Sequence, residues 1–364
     1  MSSRSVAKHR RARPGSRVWD RSRRWAGLLV PVLAVITTAT VTGGIVTGGV
    51  STAVAADNPN PTVIVGGDPQ GVAVDPDGKH AYVASFADNA LRVIDTATQQ
   101  MTESIHVGGN PRGIAVDPDS RHALVTNYAE NSVSVVDTAS KKVLHNVAVG
   151  ANPTAVAIFP RDHYAFVTNY YGNTVSVINI ADLKVVDAVP VGVHPDGVAI
   201  DPRGDFAYVT NSGSNSVSVI DIHTKKVTST VLVGRSPQKV AIDPDGRHAY
   251  VTNYGDNNVS VIDLPTQLDV DLYSALMKAN NLLKVNNTIP VGINPRGLAV
   301  ASDSHHAFVV NVGDDTMSVI DTATGTVIRT SFVGYSPDEV AVAPDGTAYV
   351  TSRADGTVTV IRPS

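Results

Sequence analysis

The chain has 364 residues, 43% of them hydrophobic and 17% charged, which is the balance of a globular protein with material for a large core. It contains no cysteine, which excludes disulfides, thioether-attached haem, iron–sulfur clusters and thiolate zinc sites. Residues 1–56 hold nine Lys/Arg and one acidic residue, leaving 20 basic against 32 acidic residues in 57–364; that net charge of −12 repels phosphate backbones and argues against nucleic-acid binding.

In chain order, a basic stretch from Arg4 to Arg24 comes first. An apolar Ala/Val/Thr/Gly-rich run follows from Trp25 to about Val50, then the small-residue pattern Ala53-Val54-Ala55 and Asp57. Basic, apolar, then small is the layout of a secretory signal. Residues 1–56 are therefore expected to be a signal peptide or, uncleaved, a membrane anchor, since the run exceeds the roughly 20 residues that cross a bilayer. Any membrane contact is expected only through this segment. Ser22-Arg23-Arg24 resembles part of a twin-arginine export motif, from which Ala26-Gly27 departs. Both readings place residues 57–364 outside the cytoplasm.

A Val-Gly pair then recurs at Val65, Val107, Val149, Val191, Val233, Val291 and Val333, spaced by 42, 42, 42, 42, 58 and 42 residues. A proline follows each at one offset: Pro69, Pro111, Pro153, Pro195, Pro237, Pro295 and Pro337. Within each unit, four short runs rich in Val, Ile, Thr and Tyr are separated by turn chemistry such as Asp117-Pro118-Asp119-Ser120. Four antiparallel strands in about 42 residues describe a propeller blade, which covers its two faces by stacking on neighbours. The fold class is all-β, a seven-bladed β-propeller over residues 57–364. The last unit stops after its third strand, Val358–Ile361, and the first begins with an orphan fourth strand, Thr62–Val65. These are expected to pair and close the ring, removing an open edge. The 58-residue spacing admits 16 extra residues, in which Leu268, Leu272, Leu276 and Leu283 recur at helical intervals. They predict an amphipathic helical insertion at about 265–286, packed on the rim or docking a partner.

The units Tyr250-Val251-Thr252-Asn253, Phe166-Val167-Thr168-Asn169 and Tyr208-Val209-Thr210-Asn211 are each followed by a Val-Ser-Val-Ile-type strand and a Val-Gly-x-x-Pro turn. They resemble the YVTN family of β-propeller repeats over about residues 62–361. The resemblance implies a seven-bladed ring, usually exported or on the cell surface in bacteria and archaea. Members and relatives include surface or binding proteins, lactonases and lyases, so it implies no single activity.

Residues that recur in every blade serve the blade. Asn127, Asn169, Asn211, Asn253 and Asn311 are expected to bond their own loop backbones. His80, His122, His248 and His306 share one repeat position in separate blades, which argues against convergence on one metal. No cofactor is expected. The informative positions differ between blades and lie on the face where fourth strands turn into first strands. They are Arg112, Asp196, Arg296 and Asp338 after the repeat proline, His194 before it, Lys239 and Glu339 one step on, and Tyr128, Tyr170 and Tyr254 after the loop Asn. Together they are expected to ring the channel mouth with aromatics and both charge signs and to orient a small-molecule ligand or protein partner. The expected function is an extracytoplasmic binding scaffold at the cell surface. A lyase or lactonase is the alternative, with His194 working beside Asp196, Asp338 or Glu339.

Overall fold

The computed structural model describes residues 60–159, 164–264 and 283–363. Among them the chain is all β, with 28 strands in seven four-stranded antiparallel sheets. The expected leader, 1–56, lies outside the described residues, as does nearly all of the expected helical insertion.

Blade one is built from Pro69–Val74, His80–Ser85, Ala90–Asp95 and Gln100–His106. Blades two to six repeat it with first strands at Pro111–Val116, Pro153–Phe159, Pro195–Ile200, Pro237–Ile242 and Pro295–Val300. Blade seven takes Pro337–Val342, Ala348–Ser352 and Thr357–Ile361 from the end of the chain and Thr62–Ile64 from its start. The closing register is Thr62 opposite Thr359, Val63 opposite Val358 and Ile64 opposite Thr357, as the orphan strand predicts.

Burial follows position within the blade. The second and third strands are buried almost throughout, as in His122–Asn127 and Ser132–Asp137. The fourth, Lys142–Ala148, is mostly exposed and buries only Val147. Both faces of the inner strands are apolar because each meets a neighbouring blade. Leu124, Val133 and Val135 of blade two pack with Val156, Ala165, Val167 and Ile178 of blade three. Each such Leu, Val or Ile side chain contributes about 1.5–3 kcal/mol, and the arrangement recurs around the ring.

The repeat's threonine joins one blade to the next. A bulge after each repeat proline frees a backbone N–H of the first strand. Thr168 Oγ1 accepts that N–H from Ala155 at 2.9 Å and donates to the Asp196 carbonyl of the following blade at 2.7 Å. Thr126, Thr210, Thr252 and Thr351 make the same latch onto the carbonyls of Thr154, Gln238, Arg296 and Gln70. Thr351 thereby ties blade seven to blade one. Ala84 and Val310 stand in this position in blades one and six and lack the hydroxyl.

The recurring asparagines do not bond their loop backbones as expected. Each is fully buried, and its amide donates to side chains on the third strand: Asn127 to Ser132 and Ser134, both at 2.9 Å, and Asn169 to Thr174 and Ser176. The loop is already closed by its own backbone bonds, so the amide turns to the hydroxyls beside it. Three of the four recurring histidines pair with the aspartate five residues before them, His80 Nδ1 lying 2.9 Å from Asp75, His122 2.8 Å from Asp117 and His248 2.7 Å from Asp243, while His306 pairs with Asp303, three residues before it, at 3.0 Å. These pairs brace turns in separate blades.

Candidate functional site

The first strands pack in sequence around the axis, and the turns that lead into them form one rim of the channel. The residue before every repeat proline is left-handed: Asp68, Asn110, Asn152, His194, Ser236, Asn294 and Ser336 have φ between 51° and 55°. Asp and Asn accept this conformation more readily than larger residues. In three blades the asparagine also latches the preceding blade's loop, Asn110 to the Phe86 carbonyl at 3.1 Å, Asn152 to Tyr128 at 3.1 Å and Asn294 to Tyr254 at 3.2 Å. His194 occupies the same strained slot without that amide.

The residue after the proline is Gln70, Arg112, Thr154, Asp196, Gln238, Arg296 or Asp338. Five of these seven carbonyls are gripped by the threonine latch, so a nearly uniform backbone presents four kinds of side chain around the ring. Sevenfold symmetry ends there, and the mouth divides into two halves.

On blades five, six, seven and one, charges pair with one another. Arg296 of blade six donates to Asp338 of blade seven, with the side chains 16% and 7% exposed. Burial alone would lower the Arg296 pKa, but Asp338, with Asp196 and Glu339, holds it above its ordinary range. Arg353 of blade seven reaches Asp68 of blade one at 2.7 and 3.3 Å and lies 3.8 Å from Asp338. The hydrogen bond to Asp68 also holds the Arg353 pKa up. Lys239 of blade five meets Glu339 of blade seven at 2.6 Å. Where those two carry long side chains, the other blades have Gly71, Gly113, Ala155, Gly197 and Gly297. Gly297 is required by close approach, since a Cβ there would lie 2.7 Å from the Asp338 carbonyl and the Glu339 Cα. The Lys239–Glu339 pair borders a channel cavity of about 150 Å³ whose remaining lining is mostly Val, Ile and Leu.

On blades two to four the mouth is aromatic. His194 stacks on Tyr170 with centroids 4.6 Å apart and planes within 4°. Tyr171 stands edge-on to both, at 5.0 and 5.5 Å, and is 59% exposed. Burial and the neighbouring Tyr171 and Tyr170 raise the Tyr128 pKa, while Arg112, 5.8 Å from its ring centre, opposes them. Asp196 is only 3% exposed. Its nearest cation among the described residues is Arg112 at 3.8 Å, its charge also acts on Arg296, and no hydrogen bond among them reaches its carboxylate.

Nine of the ten expected site residues fall into these separate sets, and Tyr254 is placed by its carbonyl, which accepts from Asn294. His194 meets tyrosines and not Asp196, Asp338 or Glu339, so the acid–base combination considered from the sequence is not assembled. Sequence reasoning passed over Tyr171, whose signal is a doubled tyrosine found in blade three alone. Nor did it pair Arg353, which stands at the repeat position of Tyr128 and Tyr170, with Asp68.

A family model described as YNCE-like beta-propeller matches residues 53–165 and 155–244. No curated protein matches the sequence. Among solved structures, Kuenenia stuttgartiensis hydrazine synthase superposes with a TM-score of 0.72 at 22% identity, covering 87% of this chain and 99% of that one. The Myceliophteria thermophila Cps50 (Swd1) beta-propeller domain superposes with a TM-score of 0.71 at 12% identity, covering 84% and 100%. At these identities the likeness is one of fold.

Proposed function

The chain belongs to the YNCE-like β-propeller family, and from that premise we propose that it is an extracytoplasmic binding scaffold of YVTN type that takes a small-molecule ligand or a segment of a partner protein at its channel mouth. The basic, apolar and small-residue layout of 1–56 supports export. The rigid ring supports a scaffold, since its inner strands are buried and latched blade to blade.

One observation carries the binding site. Asp196 is a buried carboxylate without a hydrogen bond, beside an arginine 3.8 Å away, in a mouth whose other buried carboxylates are closely paired. An underpaired buried charge is costly, and a ligand with donors for Asp196 and acceptors for Arg112 would offset that cost. The lyase or lactonase reading gains no such support, because the one histidine of the mouth faces tyrosine rings.

The test is a thermal-shift screen of the protein and its Asp196→Asn variant against divalent ions, lactones, sugars and peptides. A ligand at ~100 times its Kd adds about 2.7 kcal/mol of stability. The expected outcome is a shift from at least one class that Asp196→Asn removes. A flat response in every class, or shifts identical in the variant, would refute the mouth as a binding site.

A further inference from the structure

We propose that the ligand of this mouth is a neutral saccharide, held on the aromatic half of blades two to four; this rests on the binding reading above and assigns its chemical class. A sugar ring offers an apolar face of C–H groups and an edge of hydroxyls that both donate and accept. It is met by an aromatic surface next to planar polar side chains of both kinds. Blades two to four supply those parts side by side.

The aromatic surface is fixed before any ligand arrives. Tyr170 and His194 lock one another by stacking, and Tyr171 stands against both with more than half its surface in solvent. Rings already immobilised lose little freedom on binding. The blade needs none of this. Three other blades use asparagine where His194 stands, with a direct bond to the neighbouring loop. The histidine gives up that bond and sits at a left-handed φ of 53°. The aromatic contacts of its ring are the two tyrosines, and Tyr171 continues them outward.

The polar edge is Asp196 with Arg112. Asp196 has acceptor capacity that no described residue fills, and Arg112 has guanidinium donors to spare. Together they suit a hydroxyl pair, which gives protons to the carboxylate and takes them from the guanidinium. A cationic ligand fits less well, because Arg112 already lies over the Tyr128 ring at 5.8 Å. A phosphate fits less well beside a buried carboxylate on a body of net charge −12.

Saturation-transfer NMR of the full chain with maltotetraose, cellotetraose and chitotetraose tests the proposal. At least one should receive saturation, strongest on the C–H protons of one ring face. Tyr171→Ala and His194→Asn should each weaken it by ~10-fold or more. His194→Asn restores the residue other blades use, so its loss of binding would not come from misfolding. Tyr335→Ala, exposed on blade seven, should leave binding unchanged. No saturation of any of the three, or binding that neither variant weakens, would overturn the saccharide assignment. If sugars fail while another class still gives an Asp196-dependent thermal shift, only the saccharide falls; if every class is flat, the binding mouth falls with it.

Discussion

The two halves of the mouth occupy equivalent positions on the same backbone and are built for different purposes. On blades six, seven and one, Arg296–Asp338 and Arg353–Asp68 tie consecutive blades. Here the chain's two ends meet, and Val310 leaves the interface of blades six and seven without a threonine latch. The Arg296–Asp338 pair crosses that same interface. On blades two to four the chain is continuous and the latches of Thr126, Thr168 and Thr210 are all present. The unusual side chains there, His194, Tyr171, Arg112 and Asp196, join nothing the fold needs joined. Charge used to close the ring is closely paired within the protein, whereas polarity set on an already closed part of the ring is only loosely paired, Arg112 with Asp196 at 3.8 Å.

The largest effect that would break this comparison is loss of the closing pair. Arg296→Leu leaves a buried Asp338 with only Arg353, 3.8 Å away, and should cost about 3 kcal/mol or more, because its close partner is gone. Arg112→Leu in the other half removes a longer contact, 3.8 Å, from a carboxylate that is also buried, and should cost less, about 1–3 kcal/mol. Urea denaturation of the two variants compares them directly. Equal costs would mean that the halves do not differ in structural role. Replacing both Arg296 and Asp338 with leucine should recover much of the loss.

The latches sharpen the same contrast at intermediate size. Thr351→Val removes the bond to the Gln70 carbonyl and leaves the Glu339 N–H without its acceptor, for about 1–3 kcal/mol. Val310→Thr supplies the missing hydroxyl between blades six and seven and should add up to about 1 kcal/mol. If the Arg296–Asp338 pair substitutes for that latch, Val310→Thr should also reduce the cost of Arg296→Leu.

Alkali separates the halves by chemistry. The arginines of the charged half stay ionised, but burial and its tyrosine neighbours raise the Tyr128 pKa, so Tyr128 resists ionisation when folded. Burial, followed by nearby aspartates, pushes Tyr82 and Tyr250 up to about 12. A phenol whose pKa is raised by folding stabilises fully below its unfolded pKa, about 10, and that contribution is lost as pH rises through the folded value. Stability should therefore decline above about pH 10. Tyrosinate absorbance should rise in steps, with Tyr82 and Tyr250 last, and Tyr171→Phe should bring the Tyr128 step to lower pH.

The repeat made most of the fold legible in the sequence. Seven Val-Gly and proline registers in phase define the blades, and Thr62–Val65 without partners in its own unit forecasts the closure. The channel mouth was legible as a set because the repeat fixes where Arg112, Asp196, Arg296 and Asp338 sit. Who pairs with whom was not. Lys239 and Glu339 lie 100 positions apart, and only ring curvature brings them to 2.6 Å. The asparagine partners left a readable signal, hydroxyl residues at alternate positions such as Ser132 and Ser134, which share one face of a strand. The His–Asp braces left one too, a constant spacing of five in blades one, two and five.

The smallest expected change is the most direct test of what the aromatic half is for. His194→Asn should leave stability unchanged or raise it by up to about 1 kcal/mol, because Asn tolerates the left-handed slot better. Its amide would also regain the bond to the Tyr170 carbonyl that Asn152 makes to Tyr128. A urea midpoint at or above that of the natural chain would mean that the histidine costs the fold something and is kept for its ring. A midpoint lower by 1 kcal/mol or more would mean that the Tyr170–His194 stack is a structural substitute for the latch. In that case the aromatic half would differ from the charged half in its chemistry but not in its purpose.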